Sequence, residues 1–310
     1  SLNIKDNRII SAKNLQIVNG GQTTASIFMS KLMEKNSIEL NNVHVQVKLS
    51  VINPEKVDEI VPLISKSSNT QNKIQTADFF SNHPFHKRIE DFSRRVLAPA
   101  SESQLAETYW FYERARGQYA NQQSRLTQSN KKKFLTLHPK PQMFNKTDLA
   151  KFENCFNEMP HFVCKGAQWN FGKFAEEITG KDSKDGLWDT NEDGFNELWF
   201  KNLISKAILF RYLEKNMMKQ DWYGGFRAQI IAYTLSKFSH EVNYRGQFID
   251  FNKIWMNQNV SKNLSKELME LASDINFLIT DTEENPTQYC KKEACWNKIK
   301  KEKYSFKYRS

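Results

Sequence analysis

Helical periodicity in the second half of the chain is the feature that most constrains its fold. From about residue 145, apolar side chains recur every three or four positions, the spacing that places them on one face of an α-helix. We therefore expect a mainly α-helical domain over residues 101–285, followed by a basic C-terminal tail over residues 286–310. Three stripes are long enough to fill whole helices: Trp199, Phe200, Leu203, Ile204, Ala207 and Ile208; Phe226, Ile230, Thr234, Leu235 and Phe238; and Val260, Leu264, Leu268, Leu271, Ile275 and Leu278.

The first hundred residues combine strand and helix patterns. Residues 15–18 are a short β-prone run, the Asn19-Gly20-Gly21 turn follows, and apolar residues then recur at helical spacing. Residues 43–51 alternate between apolar and polar side chains, as a half-buried strand does. Asn53 and Pro54 supply the N-cap and first residue of another helix. These patterns predict a small mixed β-sheet domain with flanking helices over residues 1–100, and hence an α+β fold.

Composition excludes several classes of protein. No stretch of the 310 residues approaches the roughly 20 apolar residues that span a membrane, and the first residues do not read as a signal peptide. Four cysteines in so long a chain do not make a disulfide framework, and their spacings miss the Cys-x-x-Cys pairs of zinc modules. We expect a cytoplasmic protein with reduced, mostly structural cysteines at Cys155, Cys164, Cys290 and Cys295.

The net charge of +10 is spread unevenly along the chain. Residues 86–146 hold 12 Lys/Arg and 5 Asp/Glu, and residues 291–310 hold 8 and 2. Residues 176–197 have the opposite balance, with 8 acidic and 2 basic residues. This polarity indicates an acidic partner, nucleic acid first, although basic runs are also ordinary solvated faces.

An aromatic and arginine-rich stretch over residues 109–119 strengthens the nucleic-acid hypothesis. Aromatic rings can stack on bases while arginines hold phosphates, but aromatic rings also fill protein cores. Basic residues before and after this stretch extend its charge. The predicted nucleic-acid contacts are Arg88, Arg94, Arg95, Trp110, Tyr112, Arg114, Arg116, Lys131, Lys132 and Lys133.

A second candidate site is the glycine turn with a later polar loop. A turn that opens a helix leaves backbone N–H groups free for a phosphate, and amide side chains suit bases or ribose. The turn lacks the signatures of a P-loop or a dinucleotide fold, so a plain turn is the alternative. The predicted phosphate or nucleotide ligands are Asn19, Gly20, Gly21, Gln22, Thr23 and Thr24 in the turn, and Asn69, Thr70, Gln71 and Asn72 in the loop.

Catalytic and metal-binding motifs give little support for an enzyme. No nuclease or metalloprotease signature occurs, and Pro84 between His83 and His86 argues against a metal at that pair. The first half of a calcium loop occurs at Asp189, Asn191 and Asp193, but Phe200 stands where the bidentate glutamate belongs. We expect no bound cofactor other than a nucleotide.

These motifs, taken together, resemble the abortive-infection phage-resistance (AIPR) family. The resemblance implies a bacterial anti-phage role, and family members usually carry a further N-terminal region. The matching pieces lie in order over residues 9–240: Ile17 to Thr24; Ser68 to Lys73 with Ala77-Asp78; Trp110 to Arg114 with Arg116, Gly117 and Tyr119; Lys146 to Lys151; Pro160-His161 with Lys165-Gly166 and Asn170-Phe171; and Gly224 to Arg227 with Tyr233. Residues 9–90 are also loosely similar to the Asp-Gly-Gln-His-Arg family and the ParB-like fold.

Three functions fit these patterns. The first is a nucleic-acid or nucleotide-binding module of a defence protein. The second is part of a nuclease whose catalytic site lies in an N-terminal region outside this chain. The third is a scaffold that binds a defence-system partner protein or forms a homo-oligomer through its helical part.

Overall fold

The computed structural model describes residues 2–6, 8–18, 20–32, 42–68, 80–101, 105–181 and 185–304. The chain divides into two compact units, Ser1–Phe79 and Phe80–Ser310.

The described residues of the first unit include one hairpin and two helices. Strands β1 (Leu2–Lys5) and β2 (Arg8–Ala12) pair antiparallel. Helix α1 (Gly21–Leu32) follows the glycine turn, which confirms the helix predicted there. A short 3-10 turn, Pro54–Lys56, leads into helix α2 (Val57–Ser68). The side chain of Asn53 accepts a hydrogen bond from the Glu55 backbone N–H at 3.2 Å, as predicted for an N-cap.

Two strands predicted in this unit are wrong. Residues 15–18 and residues 43–51 form no strand, and among the described residues neither stretch pairs with another strand. The apolar side chains of the second stretch are exposed, with Val47 at 76% and Val51 at 70%. Alternation identifies the face that a strand would bury, but it does not supply the neighbouring strand that pairing requires.

The second unit is mainly helical, and the predicted α+β class with a larger helical part is confirmed. Among the described residues its small sheets are an antiparallel pair, β3 (Leu97–Ala98) with β4 (Thr108–Tyr109), and a parallel pair, β5 (Phe111–Glu113) with β6 (Met143–Asn145). In chain order its elements are α3 (Pro84–Arg95), β3 (Leu97–Ala98), β4 (Thr108–Tyr109), β5 (Phe111–Glu113), α4 (Gln118–Ser124), α5 (Gln128–Leu137), β6 (Met143–Asn145), α6 (Lys146–Phe156), α7 (Pro160–Cys164), α8 (Ala167–Thr179), α9 (Leu187–Asn191), α10 (Glu197–Met217), α11 (Arg227–Tyr244), α12 (Phe251–Asn257), α13 (Lys262–Thr280), α14 (Pro286–Tyr289) and α15 (Glu293–Lys301).

The three predicted apolar stripes lie in or directly before α10, α11 and α13 and form the core of this unit. Helix α10 begins at the cap Asn196, whose side chain accepts from the Trp199 N–H, and α13 begins at the cap Ser261. Leu203, Ile230 and Leu268 are each fully buried. Burial of these faces removes apolar surface from water and accounts for most of the stability of the helices.

A buried lysine ties the end of α15 to α11. Lys237 is 2% exposed, and its Nζ donates to the backbone carbonyls of Lys300 at 3.0 Å and Glu302 at 2.6 Å. The same ammonium lies 2.8 Å from the carboxylate of Glu241. The charge is thus compensated by one carboxylate and by the exposed carbonyls at the C-terminus of a helix.

We expect Lys237→Met to lower the free energy of unfolding by about 2–4 kcal/mol, because it leaves two carbonyls without this donor and leaves Glu241 with only the more distant Arg245, at 3.5 Å. Urea unfolding measures this change. Lys253→Met is the control, since Lys253 is exposed and its loss should change stability by less than about 0.5 kcal/mol. Equal stability of the two variants would contradict a structural role for Lys237.

Candidate nucleic-acid interface

The two aromatic residues predicted to stack on bases lie inside the second unit. Trp110 is 4% exposed, and its indole N–H donates to Gln258 Oε1 at 2.9 Å. Tyr112 is fully buried, with its hydroxyl 2.7 Å from Nδ1 of His86. Either ring would have to leave these contacts before a base could stack on it. Their nucleic-acid role stays a prediction, and in this structure they are core residues.

Arg114 joins β5 to the start of α3. Its Nε donates to Glu90 Oε2 at 2.7 Å, and its terminal nitrogen donates to the Ser81 carbonyl at 2.9 Å and to Asn82 Oδ1 at 2.8 Å. Gln118 donates to the other carboxylate oxygen of Glu90 at 2.8 Å. Most donors of Arg114 are therefore used within the protein.

The three arginines of α3 are engaged in the same way. Arg88 donates to the backbone carbonyl of Glu192 at 2.7 Å and pairs with its carboxylate. Arg94 donates to the Tyr112 carbonyl at 3.0 Å, and burial lowers the pKa of Arg94 to about 10. Arg95 donates to the Asp91 carboxylate at 2.8 Å. Protein groups thus already compensate these charges.

The segment that follows Arg114 differs from α3, because it contains no carboxylate that could pair with its cations. Residues 115–147 hold seven Lys and Arg residues and no Asp or Glu, so we name them the carboxylate-free segment. Two of its cations are engaged: Lys146 donates to Ser81 Oγ at 2.8 Å, and Lys140 lies 4.9 Å from the Tyr119 ring centroid. The other five are exposed, and none pairs with a carboxylate among the described residues: Arg116, Arg125, Lys131, Lys132 and Lys133.

Helix α5, within this segment, is attached to the unit by one aromatic side chain. Phe134 is half-buried, and its ring lies 4.7 Å from that of His138, 5.4 Å from Tyr119 and 6.0 Å from Phe111. The other residues of the helix are exposed. Thr127 caps its start by accepting from the Asn130 N–H at 3.4 Å. The helix therefore presents its lysines and amides to solvent.

Burial keeps two histidines, His86 beside the carboxylate-free segment and His138 within it, in their neutral form. Burial lowers the pKa of His86 to about 3, and the nearby charges of Lys146 and Arg114 add to the effect. Burial also lowers the pKa of His138 to about 4, with Arg94 contributing. Because an unfolded histidine takes up its proton near pH 6.5, protonation at lower pH favours the unfolded chain.

We expect the free energy of unfolding to fall as the pH is lowered from about 6.5 toward 4, because the unfolded state binds the additional protons in that window. His86→Gln keeps a hydrogen-bond partner for Tyr112 but cannot titrate. The free energy of unfolding of His86→Gln should therefore fall less steeply with decreasing pH than that of the unmodified chain. The two slopes should differ by up to about 1.4 kcal/mol per pH unit, the largest contribution of one titrating group. Urea unfolding at several pH values measures both slopes, and equal slopes would contradict this assignment.

The glycine turn of the first unit has the predicted local geometry. Gly20 has φ +81°, a left-handed conformation that suits glycine, and its carbonyl accepts from the Thr24 N–H at 3.0 Å. The Thr24 hydroxyl donates to the same carbonyl at 3.1 Å. The described residues do not include Asn19, the side chain of Gln22, or the loop residues Asn69, Thr70, Gln71 and Asn72. Phosphate binding by the turn (Asn19, Gly20, Gly21, Gln22, Thr23 and Thr24) and by the loop therefore stays a prediction.

The half calcium loop adopts a helical conformation. Asp189 lies in α9, where its carboxylate accepts from the Gly186 N–H at 3.2 Å, and residues Glu192–Gly194 form a 3-10 turn. Asn191 and Asp193 are exposed. Within the described ranges, no three His, Cys, Asp or Glu side chains come together as metal ligands would.

Several motif residues have structural roles that the sequence patterns did not reveal. The Glu113 carboxylate accepts from the backbone N–H groups of Gly117 at 3.1 Å and Tyr119 at 3.2 Å, which fixes the start of α4. Asn145 and Asp148 form a reciprocal capping box at the start of α6. The Asn-x-x-Asp spacing at 145–148 is a signal from which this cap could have been predicted.

The fold and this region define a mainly helical α+β protein that presents five exposed cations on a segment without carboxylates. The chain belongs to the AIPR family, because the family model described as AIPR protein matches residues 1–283. The family indicates an abortive-infection, anti-phage role. No curated protein and no solved structure matches the chain. Among the helices that the structure describes, none has the length and apolarity needed to cross a membrane.

Proposed function

We propose that this chain is a nucleic-acid-binding module of an AIPR anti-phage protein, and that the carboxylate-free segment is its contact surface. One observation carries the proposal: five exposed cations lie within a run of 33 residues that contains no carboxylate. Each unpaired cation is available to neutralise a phosphate and release its counterion.

Other basic parts of the second unit support the choice of this segment. The arginines of α3 face Asp91, Glu192 or Glu90 within the protein. The tail after residue 290 includes Glu293 and Glu302 among its lysines. A polyanion approaching either place meets carboxylates as well as cations, whereas the carboxylate-free segment offers only attraction.

The test is fluorescence anisotropy of labelled duplex DNA, single-stranded DNA and RNA, titrated with the chain at several salt concentrations. We expect log K to fall with log salt at a slope of about −2 to −4.5, since two to five cations would each contribute about 0.9 on B-form DNA. Four NTPs are tested alongside as probes of the glycine turn. Salt-independent binding, or no binding of any polymer near 50 mM salt, would overturn the proposal.

A further inference from the structure

We propose that helix α5 inserts into the major groove of B-form duplex DNA, an inference that rests on the nucleic-acid binding proposed above. The helix protrudes, because Phe134 alone among its residues is partly buried. Ten residues give a length of about 15 Å at 1.5 Å per residue. The major groove of B-form DNA is about 12 Å wide and admits one α-helix.

The side chains of α5 are arranged for contacts on three sides. At about 100° of rotation per residue, Gln128, Lys132 and Thr136 lie roughly 120°, 160° and 200° from Phe134, on the outward face. Lys131 lies roughly 60° from Phe134 on one side and Lys133 roughly 100° on the other. The outward face can thus meet base edges while the two lateral lysines reach phosphates on opposite walls of the groove.

The chemistry of the outward face fits base edges. A glutamine amide can bond the N6 and N7 edge of adenine, a lysine can donate to guanine O6 or N7, and a threonine methyl can contact the methyl group of thymine. The absence of carboxylates from residues 115–147 leaves no group on α5 that a phosphate would repel. The major groove of an A-form RNA duplex is too narrow for such an insertion. The geometry therefore favours duplex DNA over duplex RNA.

A matched pair of variants tests the insertion. Gln128 and Gln168 are both exposed glutamines in the first turn of a helix, but only Gln128 lies on α5 and in the carboxylate-free segment. A change to glutamate alters one charge with almost no change in shape, and an acid at the start of α5 favours the helix. We expect Gln128→Glu to weaken duplex binding about tenfold, as for loss of a base-edge contact. We expect Gln168→Glu to weaken it less than about threefold, because Gln168 lies outside the proposed contact surface and salt screens its charge.

Groove-selective competitors give a second readout on the unmodified chain. Methyl green occupies the major groove and should displace the protein, whereas netropsin occupies the minor groove and should not. Equal losses in the two variants, displacement by netropsin alone, or equally tight binding of duplex RNA would overturn insertion while leaving nucleic-acid binding in place. If no nucleic acid binds even at low salt, the proposed function fails and the insertion fails with it.

Discussion

Replacing Lys131, Lys132 and Lys133 together with glutamate is expected to abolish most nucleic-acid binding. The change converts three attractive charges into three repulsive ones on a helix that is almost fully exposed. We expect the affinity to fall at least about a hundredfold near 0.1 M salt, and the salt slope to decrease by about 3. Anisotropy titrations at several salt concentrations measure both quantities.

The matched control is a second triple variant with the same change in net charge in another part of the chain. Lys298, Lys301 and Lys303 are exposed lysines of the C-terminal basic region, where carboxylates also occur. Their replacement with glutamate should weaken binding less than about tenfold, because salt near 0.1 M screens charges beyond about 10 Å. Circular dichroism verifies that both triple variants keep their helices. Equal losses would show that net charge, and not the carboxylate-free segment, controls binding.

Arg114→Ala is expected to lower the free energy of unfolding by about 2–4 kcal/mol. Its partner Glu90 is only 22% exposed at the side chain, so removal of the guanidinium leaves a largely buried carboxylate without its closest cation. The Ser81 carbonyl and Asn82 lose a donor as well. Urea unfolding at neutral pH measures the change.

Arg116 supplies the control for Arg114, two residues further along. Arg116 is exposed and makes no ion pair with a described carboxylate, so Arg116→Ala should leave stability within about 0.5 kcal/mol while weakening nucleic-acid binding. The two variants therefore separate a structural arginine from a binding arginine. A stable Arg114→Ala variant with lost binding would reverse that assignment.

The helical part of the fold could be predicted because its signal is local. The stripes in α10, α11 and α13 follow from residues three and four apart, and caps such as Asn53 lie beside the helices they start. Residues 43–51 show the opposite case. Their alternation is as clear as any stripe, yet a strand exists only when a second strand pairs with it, and that pairing is not encoded locally.

The candidate interface was only partly predictable for the same reason. The sequence places Arg114 and Arg116 in one motif, but Glu90 lies far enough along the chain that its pairing with Arg114 is a tertiary property. The hydrogen bond from the Trp110 indole to Gln258 likewise joins residues that are distant in sequence. The exposure of the lysines at residues 131–133 can be predicted without knowledge of tertiary contacts. A helix without carboxylates or apolar periodicity is expected to stay exposed.

The parallel pairing of β5 with β6 has a consequence for how the surface between them can change. The chain leaves β5 at Glu113 and enters β6 at Met143, which is in register with Phe111, so these two points lie diagonally across a three-residue parallel pair, about 8 Å apart. Insertions or deletions between these points do not alter the distance that the backbone must span. The exposed part of this stretch around α5 can therefore vary in length and charge, while Arg114, Tyr119 and Phe144 keep the contacts that hold the two ends of the stretch to the core.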